Sequence, residues 1–157
     1  MAGTIGTFLL IGLAILLISA GIEDVRTREI ANWKNAAIAL AAPLWWWSQG
    51  MAWWPDAAIQ IGIAGIVFAL FVGAFALGQM GGGDVKLIGA LALWLPLQPL
   101  IAMLTAMALL GGVLTLAMVG ARLVRRRPLA GIEIPYGVAI TLAALIVLHE
   151  PILNRFP

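Results

Sequence analysis

The sequence predicts an all-α fold: a polytopic membrane bundle of about six transmembrane helices, with both termini outside. Three observations carry that expectation. The 157 residues are 63% hydrophobic and only 10% charged, where soluble domains run at about 45–50% apolar and about 25% charged. Mean hydropathy is +1.06. The 9 Lys and Arg residues fall almost entirely on one side of the predicted spans.

A spanning helix needs about 20 apolar residues. Thr4–Ile22 meets that length as helix 1. Its amino-terminal flank has no Lys or Arg, so it reads as a retained helix and not a signal peptide, although Ser19-Ala20-Gly21 has the look of a cleavage site. Trp33–Trp47 is shorter, apolar and ends in a tryptophan cluster; Ala57–Leu77 is a full-length third span. Between Val85 and Val124 only Lys86 and Arg122 are charged, and Pro96 and Pro99 punctuate the run, which divides it into Asp84–Leu95 and Leu97–Leu123. At 1.5 Å per residue the first piece covers about 18 Å of a roughly 30 Å core, so it stops partway or tilts little. Glu133–Leu148 makes the sixth segment.

Six spans put both termini on one side, and the charges say which. Arg26, Arg28, Lys34, Lys86, Arg122, Arg125, Arg126 and Arg127 lie in loops on one face, and Arg155 alone lies opposite. Cytoplasmic loops carry the excess of cations, so the termini are expected outside. Trp45, Trp46, Trp47, Trp53, Trp54 and Trp94 fall at the predicted outer ends, as an interfacial belt would.

Composition also excludes function classes. Cysteine is absent and His149 is the single histidine, which removes disulfides, thiolate metal sites and histidine-rich metal clusters. The net charge is only +2 with no basic face, so nucleic acid is not an expected partner. The 18 glycines include Gly62, Gly65, Gly73, Gly111 and Gly112, which allow close helix packing in lipid. No repeat or linker divides the chain, so residues 1–157 read as one membrane-embedded domain.

Two carboxylates stand out. Asp24 lies just past the predicted inner end of helix 1, and Asp84 caps the inner start of helix 4 in Gly81-Gly82-Gly83-Asp84-Val85-Lys86. An ionisable residue near bilayer depth is a functional-site hypothesis by default. Two like charges at about 4 Å repel by about 4 kcal/mol at an effective dielectric of about 20, enough to hold one proton on the pair at neutral pH. One carboxylate can then activate a water while its protonated partner donates to a peptide carbonyl, which is the aspartic-protease solution. No metal, cofactor or covalent intermediate is needed. Asp84 at a helix N-cap would face backbone N–H groups that favour the ionised form. Gly81, Gly82 and Gly83 can take positive φ and would let a substrate strand lie close beside the carboxylates.

Each signal also has a plainer explanation. A glycine run before Asp is often a turn with a helix cap, and Asp24 within Glu23-Asp24-Val25-Arg26-Thr27-Arg28-Glu29 fits a solvated loop. Arg125, Arg126 and Arg127 fit topology anchors, and His149 fits an interfacial position. Lys86 either neutralises Asp84 or meets substrate. Pro135-Tyr136-Gly137 reads first as helix-entry chemistry, with Tyr136 as a candidate site-lining residue.

Taken together, the residues resemble the GxGD aspartic prepilin peptidases. The resemblance rests on Asp24 with Arg26, Arg28, Ile30 and Asn32, on Gly81-Gly82-Gly83-Asp84-Val85-Lys86-Leu87, and on Ile134-Pro135-Tyr136-Gly137, in that order. It implies that Asp24 and Asp84 are a catalytic pair that removes a short basic leader, at the cytoplasmic face of the bacterial inner membrane, just before a pilin's hydrophobic helix. Larger relatives carry an extra cysteine-containing domain and methylate the new terminus; here about ten residues without Cys separate helices 1 and 2, so methylation is not implied. The compact form is similar to the TadV/CpaA peptidases of tight-adherence (Flp) pilus systems and to archaeal preflagellin peptidases. Ala31 stands where many relatives have Pro.

Expected partners are therefore a Flp-type prepilin substrate and the lipid bilayer, with a homodimer left open. Two other classes compete. A small proton- or ion-coupled transporter would use the aspartates as relay groups and Gly81–Gly83 as a helix break, but such carboxylates usually sit near the bilayer midplane. A noncatalytic pilus-assembly subunit would use them only as ion-pair partners for Arg26, Arg28 or Lys86.

Overall fold

A computed structural model describes residues 2–126 and 134–153, and all its regular elements there are helical. Arg127, Glu133 and Arg155, used above for orientation or for a helix start, lie outside the described residues. The helices are α1 (Ala2–Thr27), α2 (Asn32–Ser48), α3 (Ala58–Ala76), α4 (Gly82–Ala92), α5 (Leu97–Val124) and α6 (Tyr136–Leu153).

Helix α1 runs five residues beyond its predicted end, so Asp24 lies inside its last turn and not in a loop. Charge alone does not stop a helix, and no Gly or Pro follows Ile22 until the chain turns at Arg28, whose φ is +59°. The connection to α2 shortens accordingly to residues 28–31. Helices α2 and α3 end by glycine in the left-handed region. At α3, Gly78 has φ +70°, its N–H donates to Phe75 O, and the Gln79 N–H donates to Ala74 O at 3.0 Å, which together make a Schellman motif. Gly50 closes α2 in the same way through Trp47 O and Trp46 O.

Among the described residues, three stretches are long and apolar enough to cross a membrane: Gly3–Thr27, Trp53–Ala76 and Leu97–Val124; Tyr136–His149 is a shorter apolar helix. Helix α4 has only 11 residues, about 16 Å of rise, yet it is the most buried element. Asp84, Val85 and every residue from Leu87 to Ala92 are buried. It packs against α2, α3 and α6, while α1 joins α2 to α6 and α5 leans on α6. Protein, not lipid, therefore surrounds most of the short helix.

That arrangement creates a polar problem, because the last carbonyls of a helix have no partner within it and the membrane interior offers no water. Side chains from the neighbours solve it. Gln60 Nε2 donates to Ala92 O at 2.6 Å and to Leu95 O at 2.7 Å, and Trp46 Nε1 donates to Leu93 O at 2.7 Å. Trp94 Nε1 returns a bond to Ile38 O at 2.8 Å. This corrects the tryptophan belt: Trp46 and Trp94 are both only 4% exposed and donate to backbone carbonyls inside the bundle, whereas Trp47, Trp53 and Trp54 are exposed.

Lys34 is a second correction. It is buried beside Glu23, with Nζ 2.9 Å from Oε2 and 2.7 Å from Ser19 Oγ. It ties α2 to α1, so it is not a free topology charge.

Candidate active site

Asp24 lies in the last turn of α1, at one end of the bundle. It is 4% exposed, so its carboxylate needs internal donors. The start of α6 supplies them. The Val138 N–H donates to Asp24 Oδ2 at 3.0 Å, and the Gly137 N–H also faces the carboxylate. These are the orphan donors of a helix N-terminus, a natural anion site. The approach is so close that a Cβ at residue 137 would stand 2.7 Å from Asp24 Cγ. Glycine at 137 is a steric requirement here. Pro135 stands immediately before the helix that begins at Tyr136.

Asp84 is 8% exposed and occupies the third position of α4. The cap residue is Gly81, with φ −72° and ψ 147°, which corrects the expectation that Asp84 itself caps the helix. The carboxylate instead reaches back to the Gly81 N–H, as the acidic member of a capping box does. Asp24 and Asp84 come from elements 60 positions apart in sequence, yet they lie within electrostatic reach of one another.

The glycine run serves close packing and not an unusual backbone. Gly50 and Gly78 are the described glycines with positive φ, so the expectation for Gly81–Gly83 is overturned. A Cβ on Gly83 would meet the Ile30 N and Cβ at 3.3 Å, so this glycine lets the α1–α2 connection press against α4. Gly82 faces Phe75 at ordinary contact distance, and Gly81 faces the Asp84 carboxylate itself. The connection is fixed in turn by Glu23, whose Oε2 accepts from the Ala31 N–H at 3.1 Å. Ala31 has φ −58°, which a proline would also adopt, but a proline would lose that bond.

Tyr136 is half-buried and lies against Gly111, where a Cβ would stand 3.3 Å from the ring. It lines a cleft of about 480 Å³ with Met80, Gly112 and Thr115, between α5 and the residue that precedes Gly81. Lys86 does not join this group. It follows Asp84 by two residues, about 200° round the helix, and donates to Asn32 Oδ1 at 2.7 Å. Sequence reasoning missed Asn35, which is buried and donates from Nδ2 to Gly83 O at 3.1 Å. Its signal was present: an amide inside an otherwise apolar helix, one turn after Asn32. Among the described residues no group of three or more His, Cys, Asp or Glu could hold a metal ion.

An all-helical bundle with membrane-length apolar spans, and two buried carboxylates converging at one end, is the architecture of an integral membrane protein. Residues 11–116 match the model of the type IV leader peptidase family, and the chain belongs to that family. It is therefore a peptidase, a hydrolase whose substrates are prepilins. The matched region contains Asp24 and Asp84 and ends before Tyr136. No curated protein and no solved structure matches the chain.

Proposed function

We propose that the chain is an aspartic endopeptidase that uses Asp24 and Asp84 to cleave the leader of Flp-type prepilins at the cytoplasmic membrane face. The observation that carries this reading is the convergence of two buried carboxylates from α1 and α4, each on a helix N-terminal donor and each within the other's field. A buried like-charged pair holds one proton between its members. Asp24, with two N–H donors, is the base, and Asp84, which faces the Gly81 N–H, is the acid; this reverses the assignment that an N-cap position for Asp84 suggests.

In that scheme Asp24 takes a proton from a bound water as the water oxygen attacks the scissile carbonyl carbon. Asp84 gives its proton to the carbonyl oxygen, which yields a neutral tetrahedral diol. Collapse then breaks the C–N bond, with the Asp24 proton passing to the leaving nitrogen and a diol proton returning to Asp84. The catalyst ends as it began. Burial of the pair strengthens each of these proton transfers relative to water.

The cleft at Met80, Gly111 and Tyr136 opens beside Gly81 and Gly137, which supports it as the path of the substrate strand. The excess of cations at the end of the bundle that carries the aspartates supports its cytoplasmic orientation. The four-residue connection between α1 and α2 supports a compact TadV/CpaA-like form.

Co-expression with a tagged Flp-type prepilin tests the reading. Asp24→Asn and Asp84→Asn should each insert in the membrane at normal level and leave the prepilin uncut. Wild-type processing by either single variant would refute the pair.

A further inference from the structure

Behind α4, on the side away from Asp84, α2 and α3 leave a second groove of about 570 Å³. Ala36 and Ala39 of α2 form one wall, Ala64 and Gly65 of α3 the other, and Gly89 and Ala90 of α4 the floor. Lys86, Asn32 and Asn35 also line it, toward the end of the bundle that carries the aspartates. Helix α4 separates this groove from the carboxylate pair, so it is a different place from the cleft at Tyr136.

One charged group in the groove lacks the partner its chemistry asks for. The Lys86 ammonium touches the neutral Asn32 amide, and among the described residues no carboxylate lies within ion-pairing distance of it. Asn35 also lines the groove, but its Oδ1 is enclosed by protein and out of reach of anything that enters. A cation that pairs with no described carboxylate thus stands at the mouth of an apolar trough.

We propose that this groove binds an anionic phospholipid, of the phosphatidylglycerol type, from the leaflet on the Lys86 side. The lipid phosphate accepts from Lys86, and an acyl chain fills the trough between α2 and α3. Charge complementarity selects this occupant, because a basic group beside an apolar intramembrane groove is what an acidic headgroup and its chain require. A substrate helix fits less well: its basic leader would meet Lys86, and α4 would block its way to Asp84. Asn35 also holds Gly83 O, so an occupied groove would steady the first turn of α4, which presents Asp84. The site itself does not depend on the two-aspartate reading.

Native mass spectrometry of the purified full chain, equilibrated with equimolar phosphatidylglycerol and phosphatidylcholine in detergent, tests this. The expected result is one retained phosphatidylglycerol per chain, favoured over phosphatidylcholine. Lys86→Gln should cut the preference over phosphatidylcholine about fivefold. Gly65→Leu should remove bound lipid of every kind, because Gly65 lines the groove and a Cβ there meets no atom within 4 Å. Equal retention of the two lipids by the wild type would overturn the proposal. So would unchanged retention in Gly65→Leu, or a dimer that Gly65→Leu dissolves, since a second copy would then be the occupant.

Discussion

Gly137 and Asp24 are in direct contact: the backbone at 137 lies where any Cβ would overlap the Asp24 carboxyl carbon at 2.7 Å. The contact joins the start of α6 to the end of α1 across 113 positions. It also places the Gly137 and Val138 N–H groups on the carboxylate.

Gly137→Ala should therefore separate activity from folding. Alanine is the better helix former by about 1 kcal/mol, so propensity alone would stabilise α6. The steric overlap must push Asp24 away, and a displacement of about 1 Å at a reacting group costs on the order of 100-fold in rate. Initial cleavage rates on a purified prepilin should fall by that order, with the protein still inserted. Gly62→Ala, where a Cβ meets nothing within 4 Å, should cleave at the wild-type rate.

A graded response is expected at Gly83. Its virtual Cβ meets Ile30 at 3.3 Å, a contact that yields by a few tenths of an ångström where the 2.7 Å overlap at Gly137 does not. Gly83→Ala should lose about 3- to 10-fold in rate, and Gly83→Val should approach the Gly137→Ala defect. Equal rates for Gly83→Val and the wild type would show that the Ile30 connection does not position Asp84.

These glycines also show what could be read in the sequence. Asp24, Asp84 and the six helices were legible, because hydrophobic length and an isolated carboxylate are local signals. Helix α1 outruns its predicted end because Glu23, Asp24 and Arg26 read in sequence as a solvated loop, although Glu and Arg are good helix formers. Trp46 and Trp94 were placed at a lipid interface because an amphipathic indole suits that position as well as a buried cap. Asn35 to Gly83 spans 48 positions and Lys34 to Ser19 spans 15. No periodicity encodes such pairs, and only the packing of α1, α2 and α4 reveals them.

Asn35 offers a test of that hidden layer. Asn35→Leu keeps the branched shape of the side chain but frees Gly83 O from its 3.1 Å bond. The carbonyl belongs to the first turn of α4, directly before Asp84, so the expected effect is a fall in kcat of about tenfold, with KM little changed and insertion normal. A change in KM alone would assign Asn35 to substrate binding and not to positioning.

The caps on α4 lead to the opposite kind of prediction, a loss of stability with the chemistry spared. Gln60 is buried and donates to both Ala92 O and Leu95 O, at the end of the helix far from Asp84. Gln60→Leu preserves apolar packing but leaves two carbonyls unpaired in a region without water. Each unpaired group costs about 1–3 kcal/mol, so thermal unfolding in detergent should shift down clearly, by more than for Trp46→Phe, which frees Leu93 O alone. Below the transition, kcat per folded molecule should match the wild type, because Asp84 is held from the other end of α4 by Gly81 and Asn35. A variant that stays as stable as the wild type would mean that water already reaches the end of α4, and that the short helix is not sealed by its neighbours as described.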